Sequence, residues 1–503
     1  MKKIKYIISL LALCFAVSSC DDMLKTKNFS DMSPTNFFKT EGDMAAIVTG
    51  LYLPCTTNWG YNDGGTGGWY SGLFNSYTVA YYPAGMVTTD AMRNYSSDDL
   101  DEFNWGPASG DAIPYTYHVI RIVARATDAI NQIENSSGAT EDIRNRFIAE
   151  IKTLRAFYMF VLLDWWGPVN VKLNPETLMD NTIEPRPSLA EYIGYIEKDL
   201  NEAIAVSSFP DKYNDDASNW GRMSRSTAYG VYMKLSLHRK NWEKVKEYTT
   251  KLMDMGFSLL DNYEDVFNKK QTAEHIWSIP SNDASDNFYV TEVLPSDFKK
   301  GYNHLGSSYI RGNDNSWNSG WQIFCMYWDF YDTFEDNDLR KNTILSEYET
   351  NNGVRKDRSS MVGAIPIKFT DTQFALWGIQ KDHPVIRYAE VLLSYAEAEN
   401  ELNGPTQSAI DAVKQVTDRA NTTIPTSAIA GKEAFRNFLL EERGRELYAE
   451  GQRRQDLIRH GVYISRAQAR GKNAQNHHVL FPLPQNVVIE SNGIIEQNDG
   501  YTN

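Results

Sequence analysis

Residues 384–419 read PVIRYAEVLLSYAEAENELNGPTQSAIDAVKQVTDR, and their spacing sets the fold class. Pro384–Leu402 predicts a helix, Asn403-Gly404-Pro405 a turn, and Gln407–Arg419 an amphipathic partner. The same form recurs upstream. Ser226–His238 and Trp242–Met253 are split by a turn at Lys240-Asn241. Val119, Ile122, Val123, Ala126, Ile130 and Ile133 share one face at 3.6-residue spacing. After Ser136-Ser137-Gly138, Ile143, Phe147, Ile151, Leu154, Tyr158 and Val161 mark a second helix that stops at Gly167-Pro168. Ser188 predicts a cap with Glu191 completing a capping box, and Leu189, Tyr192, Ile193, Ile196 and Leu200 are expected to point inward.

These pairs look like tetratricopeptide units, with Tyr232, Leu235 and Leu237 in one and Tyr395-Ala396-Glu397-Ala398 in another. Their spacing is too irregular for a clean repeat array. Helix pairs that cannot bury their faces alone must stack. The expected fold is therefore mainly α, an α-solenoid core of tetratricopeptide-like helix pairs with long aromatic-rich loops and minor β.

The chain has 503 residues, of which 42% are hydrophobic and 23% charged, so it is neither disordered nor collagen-like. Its net charge of −15 repels phosphate backbones, and no basic run offsets it, which argues against nucleic acid as a partner. Two regions interrupt the helical pattern. Residues 52–117 are glycine-rich around Gly60–Tyr70, and residues 302–334 mix aromatics with Asn, Ser and Gly. Loops this long in a compact protein are functional or disordered, and disorder disfavours tryptophan.

The first twenty residues form an address. Lys2, Lys3 and Lys5 precede an apolar run, Tyr6–Val17, that is too short to cross a bilayer. Val17-Ser18-Ser19-Cys20 resembles a bacterial lipobox, in which cleavage precedes a cysteine that receives lipid. The expected organisation is a signal at 1–19, a lipidated tether at 20–34 starting on Cys20, and one domain over 35–503. That domain has an N-terminal part to about residue 300 and a C-terminal part beyond it. Of the four cysteines, Cys55 and Cys325 remain for the body, and sequence leaves open whether they pair.

Enzyme signatures are missing. No His-Glu-x-x-His occurs, and Gly68-Trp69-Tyr70-Ser71-Gly72 has its serine one place late for a nucleophile elbow. His477-His478 read as exposed loop residues. Asp98, Asp99, Asp101 and Glu102 could take calcium, but they lack the spaced Asp-x-Asp-x-Asn-Gly form and read as a solvated loop. No metal, cofactor or catalytic residue is expected.

Leu440–Gly461, LEERGRELYAEGQRRQDLIRHG, resembles the signature helix of the SusD/RagB family. His383–Leu393, Ala149–Tyr158, Phe481–Gln485 and Gln497–Tyr501 resemble further family motifs in family order. Within the signature, Glu441 with Arg445 and Glu450 with Arg454 are i, i+4 pairs on a helix. They are read as part of a salt-bridge network locking this segment to the bundle rather than as an anion site, with Leu447, Tyr448 and Leu457 adding apolar contact. The resemblance implies a surface lipoprotein of the outer membrane with a SusD-like fold and no enzymatic activity. Its implied role is to capture an oligosaccharide and pass it to a SusC-like, TonB-dependent transporter. A peptide-binding member of the same fold and a surface glycoside hydrolase are the alternatives.

Sugars present flat C–H faces rimmed by hydroxyls, which suit Trp and Tyr rings beside Asn and Arg. The candidate ligand residues are Trp69, Tyr70, Arg93, Asn94 and Tyr95 in the first aromatic loop, and Asn315, Trp317 and Trp321 in the second. The resemblance makes the stretch after Asp90, before a strand-like Phe103-Asn104-Trp105, a binding loop, and Tyr331 to Phe334 part of a structural helix. Trp105, Tyr115, Tyr117, Phe330 and Phe334 are read as core.

Overall fold

The computed structural model describes residues 40–57, 72–74, 91–94, 98–109, 115–281, 287, 289–299, 322, 324–369 and 380–502. The signal and tether, Cys20, Trp69, Tyr70, Tyr95, Asn315, Trp317 and Trp321 lie outside them, and Asn94 is described by its backbone only.

The principal helices are α1 (Glu41–Leu51), α2 (Val119–Glu134), α3 (Glu141–Trp166), α4 (Leu189–Ala205), α5 (Arg225–His238) and α6 (Trp242–Met253). They continue with α7 (Tyr388–Asn403), α8 (Gln407–Arg419), α9 (Lys432–Leu447), α10 (Arg453–Arg459) and α11 (Tyr463–Ala469). Successive helices pack on one another from α2 to α8, α1 lies on α2 and α3, and α9 packs on α7. Short turns close the hairpins α2–α3, α5–α6 and α7–α8, as helix pairs that share one apolar seam require. The fold is that of stacked tetratricopeptide-like pairs.

The ends of these helices follow local chemistry. Ser188 accepts the Glu191 N–H while the Glu191 carboxylate takes the Ser188 N–H at 2.8 Å, so the expected capping box forms. Gly167 at φ 72° and Gly404 at φ 85° end α3 and α7 in a conformation that only glycine adopts without strain. Leu189 departs from its expected inward place. It is 37% exposed, on a first turn of α4 that is exposed from Ser188 to Glu191, whereas Tyr192 and Ile196 are buried.

Minor β structure comprises, among the described residues, four antiparallel two-stranded ladders and the isolated bridges Phe298–Thr350 and Met326–Ala364. β1 (Met92–Asn94) pairs with β3 (Phe324–Met326), and β2 (His275–Ile279) with β8 (His383–Arg387). β4 (Ile344–Leu345) pairs with β7 (Ile365–Pro366), and β5 (Tyr348–Glu349) with β6 (Arg355–Lys356). The helix expected from Pro384 therefore begins only at Tyr388. Pro384 cannot donate a backbone bond and disfavours helix in the residue before it, while β-branched Val385 and Ile386 suit the ladder with β2.

The signature segment is likewise not one helix. α9 ends at Leu447, Ala449 and Gly451 turn the chain at φ 56° and 78°, and α10 begins at Arg453. The i, i+4 pairs expected there do not form. Glu450 meets Arg387 and Lys368, each at 2.7 Å, and Arg454 lies 3.5 Å from Asp164. Glu441 meets Arg466 at 2.6 Å, while Arg445 pairs with Glu442 at 2.7 Å. The locking role itself holds, through partners distant in sequence. Arg387 reaches Glu446 at 2.6 Å and Glu274 at 2.9 Å, and Arg419 reaches Glu274 at 2.7 Å. Arg340 bridges Asp338 and Glu442 at 2.8 and 2.7 Å. Burial alone would raise the Glu446 carboxyl, but Arg419, Arg387 and Arg340 hold it far below the usual carboxylate range. A second cluster joins Arg443 and Arg459 to Asp456 at 3.0 and 2.7 Å, and Arg459 to Glu397 at 2.6 Å.

Candidate functional site

The β1–β3 ladder sets Arg93 opposite Cys325 and so ties the first aromatic-rich region to the second. The Tyr327 N–H donates to the Ala91 carbonyl at 3.0 Å, and Met326 exchanges backbone bonds with Ala364 on the other side of β3. Cys55 and Cys325 are both buried and form no disulfide with each other, which answers the open question of a bridge between them. Burial pushes the Cys55 thiol up to about 12, against the Tyr158 hydroxyl, so it is a packing residue and not a nucleophile.

At the foot of this ladder lies a cleft of about 610 Å³ lined by Arg93, Glu102, Tyr327, Asp329, Arg466, Arg470 and Lys472. Three elements build it. The short helix Asp98–Glu102 brings Asp101 and Glu102, β3 runs on into Tyr327 and Asp329, and α11 carries Arg466 and leads to Arg470. The turn at Gly471, φ 77°, then returns Lys472 towards Asp101. Arg470 lies 3.9 Å from the centroid of the Tyr327 ring and reaches Asp329 at 2.7 Å. Asp101, 4% exposed, pairs with Lys472 and sits 3.4 Å from Arg93. Lys472 also reaches Glu102 at 3.3 Å. Burial, and then the Asp101 charge, raise the Tyr327 hydroxyl, so it stays protonated and able to donate.

Several sequence expectations are corrected here. The acid cluster is not a solvated loop but a short helix, with Asp101 and Glu102 taken up by Lys472. No group of three metal-ligating side chains is gathered among the described residues. Phe103-Asn104-Trp105 forms no strand. Phe103 adopts φ 62° and packs on Trp105, whose indole donates to the Tyr501 hydroxyl at 2.9 Å. Tyr331 ends a one-turn helix, Trp328–Tyr331, that does not extend to Phe334. His477-His478 is no exposed loop. Both lie in a short 3₁₀ helix, His478 is buried beside Trp105, and His477 packs edge-on against Tyr501. Trp105, Phe330 and Phe334 are core as read, Tyr117 is half-buried, and the Tyr115 side chain lies outside the described residues.

Of the candidate ligand residues, Arg93 falls in this cleft and Asn94 follows it on β1. Tyr327, Asp329, Arg466, Arg470 and Lys472 line the same cleft and are not among the residues named from the sequence. The spacing of Arg466 and Arg470 signals a basic helix face, but nothing local says that the face meets residues some 140 positions earlier. A larger cleft, about 1080 Å³, lies between Arg186 and the C-terminal tail. Its guanidinium is taken up by the Trp166 and Pro168 carbonyls and by Asn498, all within 2.8 Å, as a brace for that tail.

Gly363 fixes β3 from behind. A Cβ there would lie 2.4 Å from the Met326 carbonyl and 2.6 Å from the Cys325 sulfur, and the carbonyl cannot swing aside. Gly363→Ala is expected to cost about 1–3 kcal/mol and to displace Tyr327. Urea unfolding checks this, and a midpoint equal to wild type would refute the close fit.

Stacked tetratricopeptide-like helix pairs define the class of the fold, a helical solenoid. Residues 349–501 match the model of the SusD family. The chain is 23% identical to SusD-like protein P25 of Formosa agariphila, over 100% of this chain and 99% of that one. It is also 23% identical to the starch-binding protein SusD of Bacteroides thetaiotaomicron, over 87% of each. A surface glycan-binding protein A from Bacteroides thetaiotaomicron, solved in complex with laminarihexaose, superposes with a TM-score of 0.70 at 18% identity, covering 91% of this chain and 99% of that one. The likeness to the SusD family thus covers the C-terminal third by the family model and the whole length by distant SusD-like relatives.

Proposed function

We propose that this protein is a cell-surface glycan-binding lipoprotein of the outer membrane, anchored through lipid on Cys20, that hands an oligosaccharide to a SusC-like, TonB-dependent transporter without a catalytic step of its own. The observation that carries the reading is the β1–β3 ladder, which holds the roots of both aromatic-rich regions side by side above a cleft of guanidinium, carboxylate and phenol groups. The starch-binding and laminarihexaose-bound relatives support the ligand class. Trp69, Tyr70, Tyr95, Trp317 and Trp321 supply stacking surface, and Arg93, Asn94 and Asn315 the hydroxyl contacts. Stacking on a few rings gives affinities of about micromolar to millimolar, roughly −8 to −4 kcal/mol.

The test is a glycan and peptide array probed with the chain from Asp21 onward, alongside Trp69→Ala and Trp317→Ala. One glycan class should bind and at least one substitution should weaken it about tenfold or more. Signal on peptides alone would transfer the reading to a peptide binder, and turnover of a bound glycan would make the protein a hydrolase.

A further inference from the structure

Arg466 lines the cleft below the β1–β3 ladder, and its guanidinium meets Glu441 at 2.6 Å. Glu441 in turn lines a second cleft, of about 400 Å³. Helix α9 gives that cleft Asn437, Phe438 and Arg445 as well as Glu441, at spacings that share one face. Thr423 comes from the connection between α8 and α9. Thr333 and Glu335 come from the chain just after the one-turn helix Trp328–Tyr331.

The two clefts are neighbours along both walls. Asp329 lines the first and Thr333 the second, one helical turn apart. That turn continues past Tyr331, because the Asp332 and Thr333 N–H groups donate to the Trp328 and Phe330 carbonyls at 2.9 and 3.0 Å. On the facing wall Arg470 and Arg466 also stand one turn apart, and Glu441 continues the line beyond Arg466. Arg470 crosses to Asp329 at 2.7 Å, so the walls are close at the first cleft. Arg466 and Glu441 keep 31% and 34% of their side chains exposed, so the divide between the clefts is an open saddle and not a buried partition.

The second cleft has its own chemistry for a sugar. The half-buried Phe438 ring, stacked on Phe435, offers an apolar surface to a C–H face. Asn437, Glu335 and Thr423 line the same cleft and are exposed. They supply an amide that donates and accepts, a carboxylate that accepts, and a hydroxyl that does both. Arg445, held at 2.7 Å by the buried Glu442, adds a fixed donor.

We infer that the two clefts are subsites of one groove, and that the second holds a further stretch of the same glycan chain against Phe438, Asn437 and Glu335. This rests on the glycan reading above and adds an extended ligand, longer than either cleft takes alone. A chain seated in the first cleft presents its next units to the second at high local concentration. The second subsite therefore raises the affinity for long chains and not for short ones.

The experiment titrates the full-length chain in detergent, by calorimetry, with oligosaccharides graded from disaccharide to octasaccharide. The series are of laminarin, starch, mannan, xylan, galacturonan and alginate type, with peptides alongside. In the series that binds, the octasaccharide should bind about tenfold or more tighter than the trisaccharide. Asn437→Ala combined with Glu335→Gln, both at exposed positions, should lower that ratio by about fivefold or more. A ratio equal to wild type in the double variant would overturn the inference and leave the glycan reading intact. So would an affinity that stops rising at the trisaccharide. Peptide binding with silence on every glycan would remove the glycan reading and the inference with it.

Discussion

Replacing Arg387 by methionine is expected to destabilise the chain by about 3–5 kcal/mol. Its guanidinium is 1% exposed and meets Glu446, Glu450 and Glu274 together. The methionine would fill much of the volume but leave three buried carboxylates sharing Arg419, Arg340 and Lys368. The cost is that of stranding charge, not of losing one bond. The exposed pair Lys414–Asp418 gives the contrast. Both side chains are more than half exposed, and such pairs contribute only about 0.3–0.5 kcal/mol. Guanidinium chloride unfolding measures the difference, and a loss below about 1 kcal/mol for Arg387→Met would refute the network's role in holding the C-terminal third.

That role reaches the cleft. Arg443, Asp456, Arg459 and Glu397 fix α10 to α9 and α7, and α10 leads through a short turn to α11 and so to Arg466, Arg470 and Lys472. The site thus has one wall carried by the ion-paired C-terminal segment and the other by the β1–β3 ladder.

How much of this was legible follows from range. Helices whose apolar face repeats within one turn were readable to the residue, as Trp242–Met253 and Gln407–Arg419 illustrate. The Ser188–Glu191 capping box was readable too, because both partners lie within one turn. What failed was whatever depends on a distant neighbour. Glu450 looks like a helix partner of Arg454 until the turn at Ala449 and Gly451 delivers it to Arg387 and Lys368. The acid cluster looks solvated until Lys472, 371 residues on, arrives at Asp101. His478 looks exposed until Phe103 and Trp105 cover it. Of the site, Arg93 was named because it stands in an aromatic loop. Its companions Arg470 and Lys472 belong to the cleft only through the fold.

Below pH 6.5 the chain is expected to lose about 1.4 kcal/mol per pH unit for each histidine that burial keeps neutral. His383 is 2% exposed between Phe369 and Phe74, and burial lowers its pKa to about 3 although the Glu450 charge pulls the other way. His478 falls to about 4, through burial first and then the neighbouring His477. Its Nδ1 accepts the Gln475 N–H at 3.0 Å, a bond that protonation there would abolish. Burial also lowers His275 and His238. In the unfolded chain each of these rings takes a proton near pH 6.5, whereas the folded chain refuses it. The unfolded state therefore binds more protons as pH falls from 6.5 towards 4, and stability falls with it. The buried carboxylates act later. Burial would raise Glu442 and Glu450, but their cationic partners hold them low, so the stability they contribute is lost only as pH falls below about 4.5. A histidine limb should thus precede the carboxylate limb. Urea midpoints at pH 7, 6 and 5 measure it, and His383→Gln should remove about one histidine's share of the slope whatever it does to the midpoint at pH 7. A wild-type midpoint that stays level from pH 7 to 5 would mean that these rings take up protons in the folded state, and that the packing around His383 and His478 is looser than the aromatic contacts imply.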